Sequence, residues 1–429
     1  MTCEIVVANR LGIALAADSA VTFSGANGTT YASGANKIFP LAVAAPVAIM
    51  IYNGASLNTI PWEILIKAYR RQLAARSFSS LSIYRDDLID FLNDQANLAI
   101  PISVRHADAQ IAYSRCAGFI FDAMMQEEPQ LLDSTIAPAT LAAHYSALDA
   151  DLDATLAAKP VLSCLQANDM ANALISDAGS LATKISAHIA KKASHLSGIM
   201  DANKLAQQAI GAAYKLGPHI LSRSYTGLVI AGYGESDYLP SYLTVHCYGF
   251  IGTRLLWAPH SQGDINHSVT ASFIQGFAQQ SMIETFTQGA SPEIWRSIGE
   301  SFTRHASEAC RKAAIASGVV ITDNDIQTTV SNVANEFHKE WTFNTIEQHL
   351  NPLREIVAGL ALEELSELAE NLVMLQSLKE KVTSRTQSVG GPIDLAVITK
   401  EEGMVWIKRK HYFDPALNHR YIQRLQHPT

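Results

Sequence analysis

The chain has 429 residues, of which 48% are hydrophobic and 17% charged, with a mean hydropathy of +0.08, so it can bury a large core. A net charge of -8 and a pI near 6.0 argue against generic nucleic-acid binding, although residues 408–429 hold five Lys/Arg against one Asp. Cys3, Cys116, Cys164, Cys247 and Cys310 are odd in number and lack a Cys-x-x-Cys pair, which argues against a disulfide framework or a zinc site and for a reducing compartment. No basic, apolar leader precedes Thr2, and no apolar run reaches the ~18 to 20 residues of a membrane span, so the expectation is a cytoplasmic protein without a membrane or nucleic-acid partner.

Three reactive side chains lie in the first forty residues: Thr2, Asp18 and Lys37. Residues 4–8 are rich in β-branched types, Asn9-Arg10-Leu11-Gly12 reads as a turn, and Ile13 to Ala17 is a second apolar run, so a hairpin is expected. If the turn centres on Arg10 and Leu11, facing residues have numbers summing to about 20 or 21, and Thr2 falls opposite Asp18 or Ser19. Residues 25–34 read as a loop, and residues 36–39 begin an extended segment from which Lys37 can point back at Thr2. A small residue after Met1 favours removal of that methionine. Thr2 then carries a hydroxyl and an α-amine, a group that ordinarily titrates at ~8 and can act as its base, while Lys37 favours ionisation and Asp18 keeps Lys37 charged. Taken singly, a Met-Thr start is common, an Asp ending a strand is usually a turn cap and a Lys beginning one is usually an edge charge. The joint spacing is what favours chemistry.

Farther along, residues 44–52 form a buried strand, and apolar residues at helical spacing follow in 62–73 and 81–99. Residues 101–224 are Ala-rich with helical stretches at 139–158 and 171–216. Leu228 opens a hairpin, 242–257 is strand-like, and 259–264 leads into an expected helix at 268–286, with further helices to about 383. In residues 363–378, Leu365, Leu368, Leu372, Leu375 and Leu378 share one face, the pattern of an amphipathic core helix.

The string Gly12-Ile-Ala-Leu-Ala-Ala-Asp18-Ser19 with Thr2 and Lys37-Ile38 resembles the opening of proteasome β-subunits and of HslV, their bacterial homologue among the N-terminal nucleophile (Ntn) hydrolases. Leu228-Val-Ile-Ala-Gly-Tyr-Gly-Glu with Pro240-Ser-Tyr-Leu resembles the family's central hairpin, and Val389-Gly-Gly-Pro-Ile-Asp-Leu-Ala-Val-Ile398 its closing strand. The resemblance implies an α+β fold, a four-layer αββα sandwich, made of residues 1–100 and 225–429, with residues 101–224 as a helical insertion. It implies a threonine peptidase that cleaves peptide bonds through an acyl-enzyme on Thr2, with the Gly54 N–H in the oxyanion site and Ser261 or Ser268 supporting the N-terminal amine. Where the family has an Asp and a Ser before its Gly-Gly strand, this chain has Thr386 and Val389, with Ser388 one residue out of register. It also implies peptide or protein substrates, a homo-oligomeric ring and an ATPase or other regulatory partner. The alternatives are an inactive scaffold or ring protein of the same fold, and a non-proteolytic amidase or acyl-transfer enzyme.

No His-Glu-x-x-His, Walker loop or Gly-x-Ser-x-Gly occurs, and Gly232-Tyr-Gly234 reads as a turn. His246, His260 and His267 are expected to be core or surface residues, so no cofactor and no metal are expected.

Overall fold

The computed structural model describes residues 2–25, 28–43, 45–94, 100–266, 270–383, 389–411, 413–414 and 417–419. The chain opens with the expected hairpin, β1 (Cys3–Asn9) and β2 (Ile13–Ala17). Its turn is closed by the Asn9 N–H donating to the Gly12 carbonyl at 3.1 Å and the Leu11 N–H donating to Asn9 Oδ1 at 2.9 Å. Glu4 faces Ala17 and Ala8 faces Ile13, the register in which paired numbers sum to 21.

The segment expected to be a loop, 25–34, instead holds β4 (Gly28–Ser33), which pairs with β3 (Ala20–Gly25), because backbone pairing satisfies groups that a loop would leave to solvent. Then come β5 (Ile38–Pro40), β6 (Val47–Tyr52) and the small pair β7 (Ser56–Leu57) and β8 (Ile60–Pro61). Helices α1 (Trp62–Leu73) and α2 (Leu81–Asn93) follow; the last five residues of the helix expected to reach 99 lie outside the described residues. The Ala-rich region forms α3 (Ile102–Glu127), α4 (Pro138–Ala158), α5 (Ala167–Ser176), α6 (Ala178–Lys192) and α7 (Ala202–Ile220), so the stretch read as helical from 171 to 216 is broken between helices.

Strands β9 (Thr226–Gly232), β10 (Ser241–Ile251) and β11 (Arg254–Asp264) form a meander, and residues 259–264 belong to β11. The helix expected over 268–286 is corrected to β12 (Ser272–Ala278) followed by α8 (Ser281–Gln288). The free edge of β1 recruits this segment as a strand, pairing Cys3 with Ala278 through Asn9 with Ser272, and tertiary pairing overrides its weak helical pattern. The chain ends with α9 (Pro292–Ser317), α10 (Asp323–Thr345), α11 (Asn351–Gly359), α12 (Leu362–Thr383), β13 (Asp394–Thr399) and β14 (Gly403–Lys408).

The result is a mixed α/β fold whose described strands pair antiparallel. One sheet has the order β12-β1-β2-β13-β14 and the other β11-β10-β9-β6-β5. Period-two alternation divides each strand between two cores. Val6, Ala8, Ile13 and Leu15 of the first sheet share a buried cluster with Ala48, Met50, Val229 and Ala231 of the second. The opposite face of the first sheet, Ile5, Val7, Ala14 and Ala16, packs on Leu365, Leu372 and Val373 of α12. On the second sheet Ile49, Ile51, Leu228 and Ile230 pack on Trp62 and Tyr69 of α1 and Tyr84 of α2. Helices α3 to α7 build a core of their own that meets β10 and β11 at Ile251 and Leu256. Among the described residues no helix is long and apolar enough to cross a membrane.

Candidate active site

Thr2 stands at the open end of β1, where the Gln279 N–H donates to its carbonyl at 2.9 Å and so extends the pairing with β12 by one residue. Since alternate residues share a face, Thr2, Glu4, Val6 and Ala8 all point between the sheets. Asp18 follows β2 beside Cys3, and the backbone pairing continues through it: the Asp18 N–H donates to the Cys3 carbonyl at 3.1 Å. Its carboxylate is buried and accepts N–H groups from Cys3 at 3.0 Å, Ala20 at 3.2 Å and Gly390 at 2.8 Å. The Gly390-Gly391 pair supplies that contact by running through positive φ, 150° and 79°, a path open to glycine and costly for other residues. Asp18 Oδ1 also accepts from the Lys37 ammonium.

Lys37 precedes β5, is buried, and lies between two carboxylates, with Glu4 Oε1 3.4 Å from its Nζ. Thr2 Oγ donates to Glu4 Oε2 at 3.1 Å. The structure therefore brings Thr2, Asp18 and Lys37 together and adds Glu4, which sequence reasoning passed over. The signal was present: a carboxylate two residues from Thr2 in a strand otherwise apolar on that face. Burial, reinforced by Asp18 and opposed by Lys37, pushes the Glu4 carboxyl up to about 8. Burial first, then Glu4 and Asp18, push the neighbouring Cys3 thiol well up, so it stays a thiol and packs as core.

A cavity of about 630 Å³ opens beside Thr2 and Lys37, walled by Val21, Ala35, Ile51 and Tyr52 and rimmed by Asn53 and Glu63. Gly54 lines it too, but its N–H donates to the Tyr52 carbonyl at 2.9 Å, so in this arrangement it is not turned toward the cavity as an oxyanion donor. Close packing explains the glycine there, since a Cβ would lie 2.1 Å from Thr226 Oγ1. Ser261 is not among the wall residues; it sits on the outer strand β11, where its hydroxyl donates to Thr244 Oγ1 at 3.2 Å. Ser268, Thr386, Ser388 and His267 lie outside the described residues. His246 is stacked between Tyr225 and His260, with centroids 3.7 and 4.0 Å away, and its Nε2 is 2.8 Å from the Tyr52 hydroxyl. Burial, aided by His260, lowers its pKa to about 4 and keeps it neutral. Among the described residues no group of three or more His, Cys, Asp and Glu is placed to hold a metal ion.

Comparison with known proteins corrects the expected family. No protein-family model matches the chain, and no curated protein matches it. Among solved structures, Anbu from Hyphomicrobium sp. strain MC1 aligns with 9% identity over 98% of this chain and 95% of its own, at a TM-score of 0.28. The Anbu (Gly-1) mutant from the same strain aligns with 9% identity over 99% and 95%, at 0.27. Membership of the proteasome β-subunit and HslV family, expected from four short segments, is therefore not sustained. Short strings around a strand and a turn match between unrelated chains more readily than whole sequences do.

Proposed function

We propose that the chain is an amide hydrolase whose nucleophile is the Thr2 hydroxyl, acting on peptide bonds of peptide or protein substrates through an acyl-enzyme. The observation that carries this reading is a chain of contacts at the edge of an open cavity: the Thr2 hydroxyl donates to Glu4, the other Glu4 oxygen lies 3.4 Å from the buried Lys37 ammonium, and Lys37 donates to Asp18. Thr2 Oγ attacks the carbonyl carbon, the leaving amine departs, and water hydrolyses the ester. Lys37 favours the ionised hydroxyl, and Asp18, held by three backbone N–H groups, fixes Lys37 in place. Cutting the Met1–Thr2 bond would give Thr2 a free α-amine, which ordinarily titrates at ~8 and is a base on the same residue. The same reading takes the layers as a four-layer αββα sandwich with the nucleophile at the mouth between the sheets, residues 101–224 being a helical insertion into a domain of 1–100 and 225–429.

The test is Thr2→Ala against wild type on a mixture of peptide substrates. The variant is expected to lose hydrolysis and to lose acylation by a β-lactone probe that peptide mapping places on Thr2 in the wild type. Retained hydrolysis in Thr2→Ala would refute the assignment.

A further inference from the structure

Lys37 already has a carboxylate partner. Asp18 accepts its ammonium together with three backbone N–H groups, so a second carboxyl buried beside it asks for another explanation. Glu4 is fully buried, lies on the same face of β1 as Thr2, and its Oε2 accepts a hydrogen bond from the Thr2 hydroxyl at 3.1 Å. Its other oxygen has the Lys37 ammonium at 3.4 Å and no hydrogen-bond partner. We propose that Glu4 is the general base that takes the Thr2 hydroxyl proton, which allows Thr2 to be acylated while its nitrogen is still an amide. This rests on Thr2 being the nucleophile and specifies how it is activated.

The step balances without any further reactant. The Oγ–H bond breaks with its proton passing to Glu4 Oε2, Oγ forms the bond to the carbonyl carbon, and the carbonyl π pair moves onto oxygen. On collapse the carbon–nitrogen bond of the substrate breaks and Glu4 returns the proton to the departing nitrogen. An amide nitrogen cannot accept a proton, so in a chain still joined to Met1 a side chain has to do so, and Glu4 is the carboxyl that the hydroxyl touches. The groups facing Glu4 are Lys37 ahead of β5, Asp18 after β2, Tyr52 ending β6, and Cys3 on its own strand. Burial, opposed by Lys37 and reinforced by Asp18, holds its carboxyl near 8, where a base is both partly ionised at neutral pH and strong enough to take a proton.

The experiment uses the full chain in two forms, one with a short N-terminal extension that keeps the Thr2 nitrogen an amide and one beginning at Thr2, each verified by intact mass. Acylation by a β-lactone is timed by mass and mapped by peptide digestion. The extended wild type should be acylated at Thr2, at a rate that rises with pH and levels off above the Glu4 titration. Glu4→Gln should lower that rate by ~10² to 10⁴ and flatten the profile. Glu4→Asp should restore part of it. Acylation of the chain beginning at Thr2 but not of the extended chain would overturn the role of Glu4 while leaving Thr2 as nucleophile, as would a wild-type rate in Glu4→Gln. No acylation at Thr2 in either form would remove the nucleophile and this proposal together. Should Glu4→Gln not fold, a wild-type rate that does not change from acid to alkaline pH overturns the proposal by itself.

Discussion

Lys37 and Asp18 differ in how much else depends on them, and that difference is testable. Asp18 accepts three backbone N–H groups from β1, the strand-end turn and the Gly390 segment, so it organises the site as well as charging it. The Lys37 side chain contacts the two carboxylates, while its backbone carbonyl accepts the Ile51 N–H at 3.0 Å, a bond that a side-chain substitution leaves in place. Lys37→Met should therefore fold and lose ~10² to 10⁴ in rate, whereas Asp18→Asn should lose activity and stability together, since an amide nitrogen would confront at least one of those N–H donors. Thermal melts beside rate measurements check the split; an Asp18→Asn that is inactive yet melts like wild type would contradict it. Glu4 gives a second signature. Its carboxyl is raised from an ordinary 4.5 to about 8, so across that window the native state keeps a proton that the unfolded chain releases. Stability falls as pH rises through the window and levels off above it. Glu4→Gln lacks this slope, and its melting temperature relative to wild type should improve between acid and alkaline pH. A difference independent of pH would show that burial does not perturb Glu4.

At the scale of elements, the first hairpin was legible because turn chemistry and β-branched runs agree, and its register sets Asp18 beside Cys3, the residue after Thr2. What was not legible depended on distant partners. Ser272–Ala278 is a strand only because β1 offers it an edge, and Gly54 and Ser261 were assigned from resemblance, which says nothing about an N–H turned to Tyr52 or a hydroxyl held by Thr244. Glu4 is readable from alternation, as a carboxyl on the face of β1 that it shares with Thr2. Helix α12 shows the same limit: the five leucines fall on one face in sequence, yet Leu375 is 39% and Leu378 56% exposed, and the buried face runs through Leu365, Ala369, Leu372 and Val373 into Gln376 and Glu380. The sheet it covers, not the leucine repeat, decides which face is buried. Leu372→Ala should cost ~2 to 5 kcal/mol and Leu378→Ala less than ~0.5 kcal/mol in denaturant unfolding. Equal costs would place the packed face where the leucines run.

For the whole molecule, the helices α9 and α10 pair through their own aromatic stacks, Trp295 on Trp341 at 4.1 Å and Phe302 on Phe337 at 4.5 Å, and leave apolar side chains in solvent at one end. Ile315 is 81% exposed, Val319 55% and Val320 97%. Scattered exposed apolar residues are ordinary, but adjacent ones at the end of a helical pair favour burial against another surface. The proposal of a homo-oligomer follows from this, and of a closed ring because head-to-tail contacts between identical chains stay finite only when their rotation closes. Light scattering of the purified chain at micromolar concentration should give a mass several times 46.5 kDa, and Val320→Glu with Ile315→Glu should lower it without lowering the melting temperature of the subunit. A 46.5 kDa monomer under those conditions would contradict the ring.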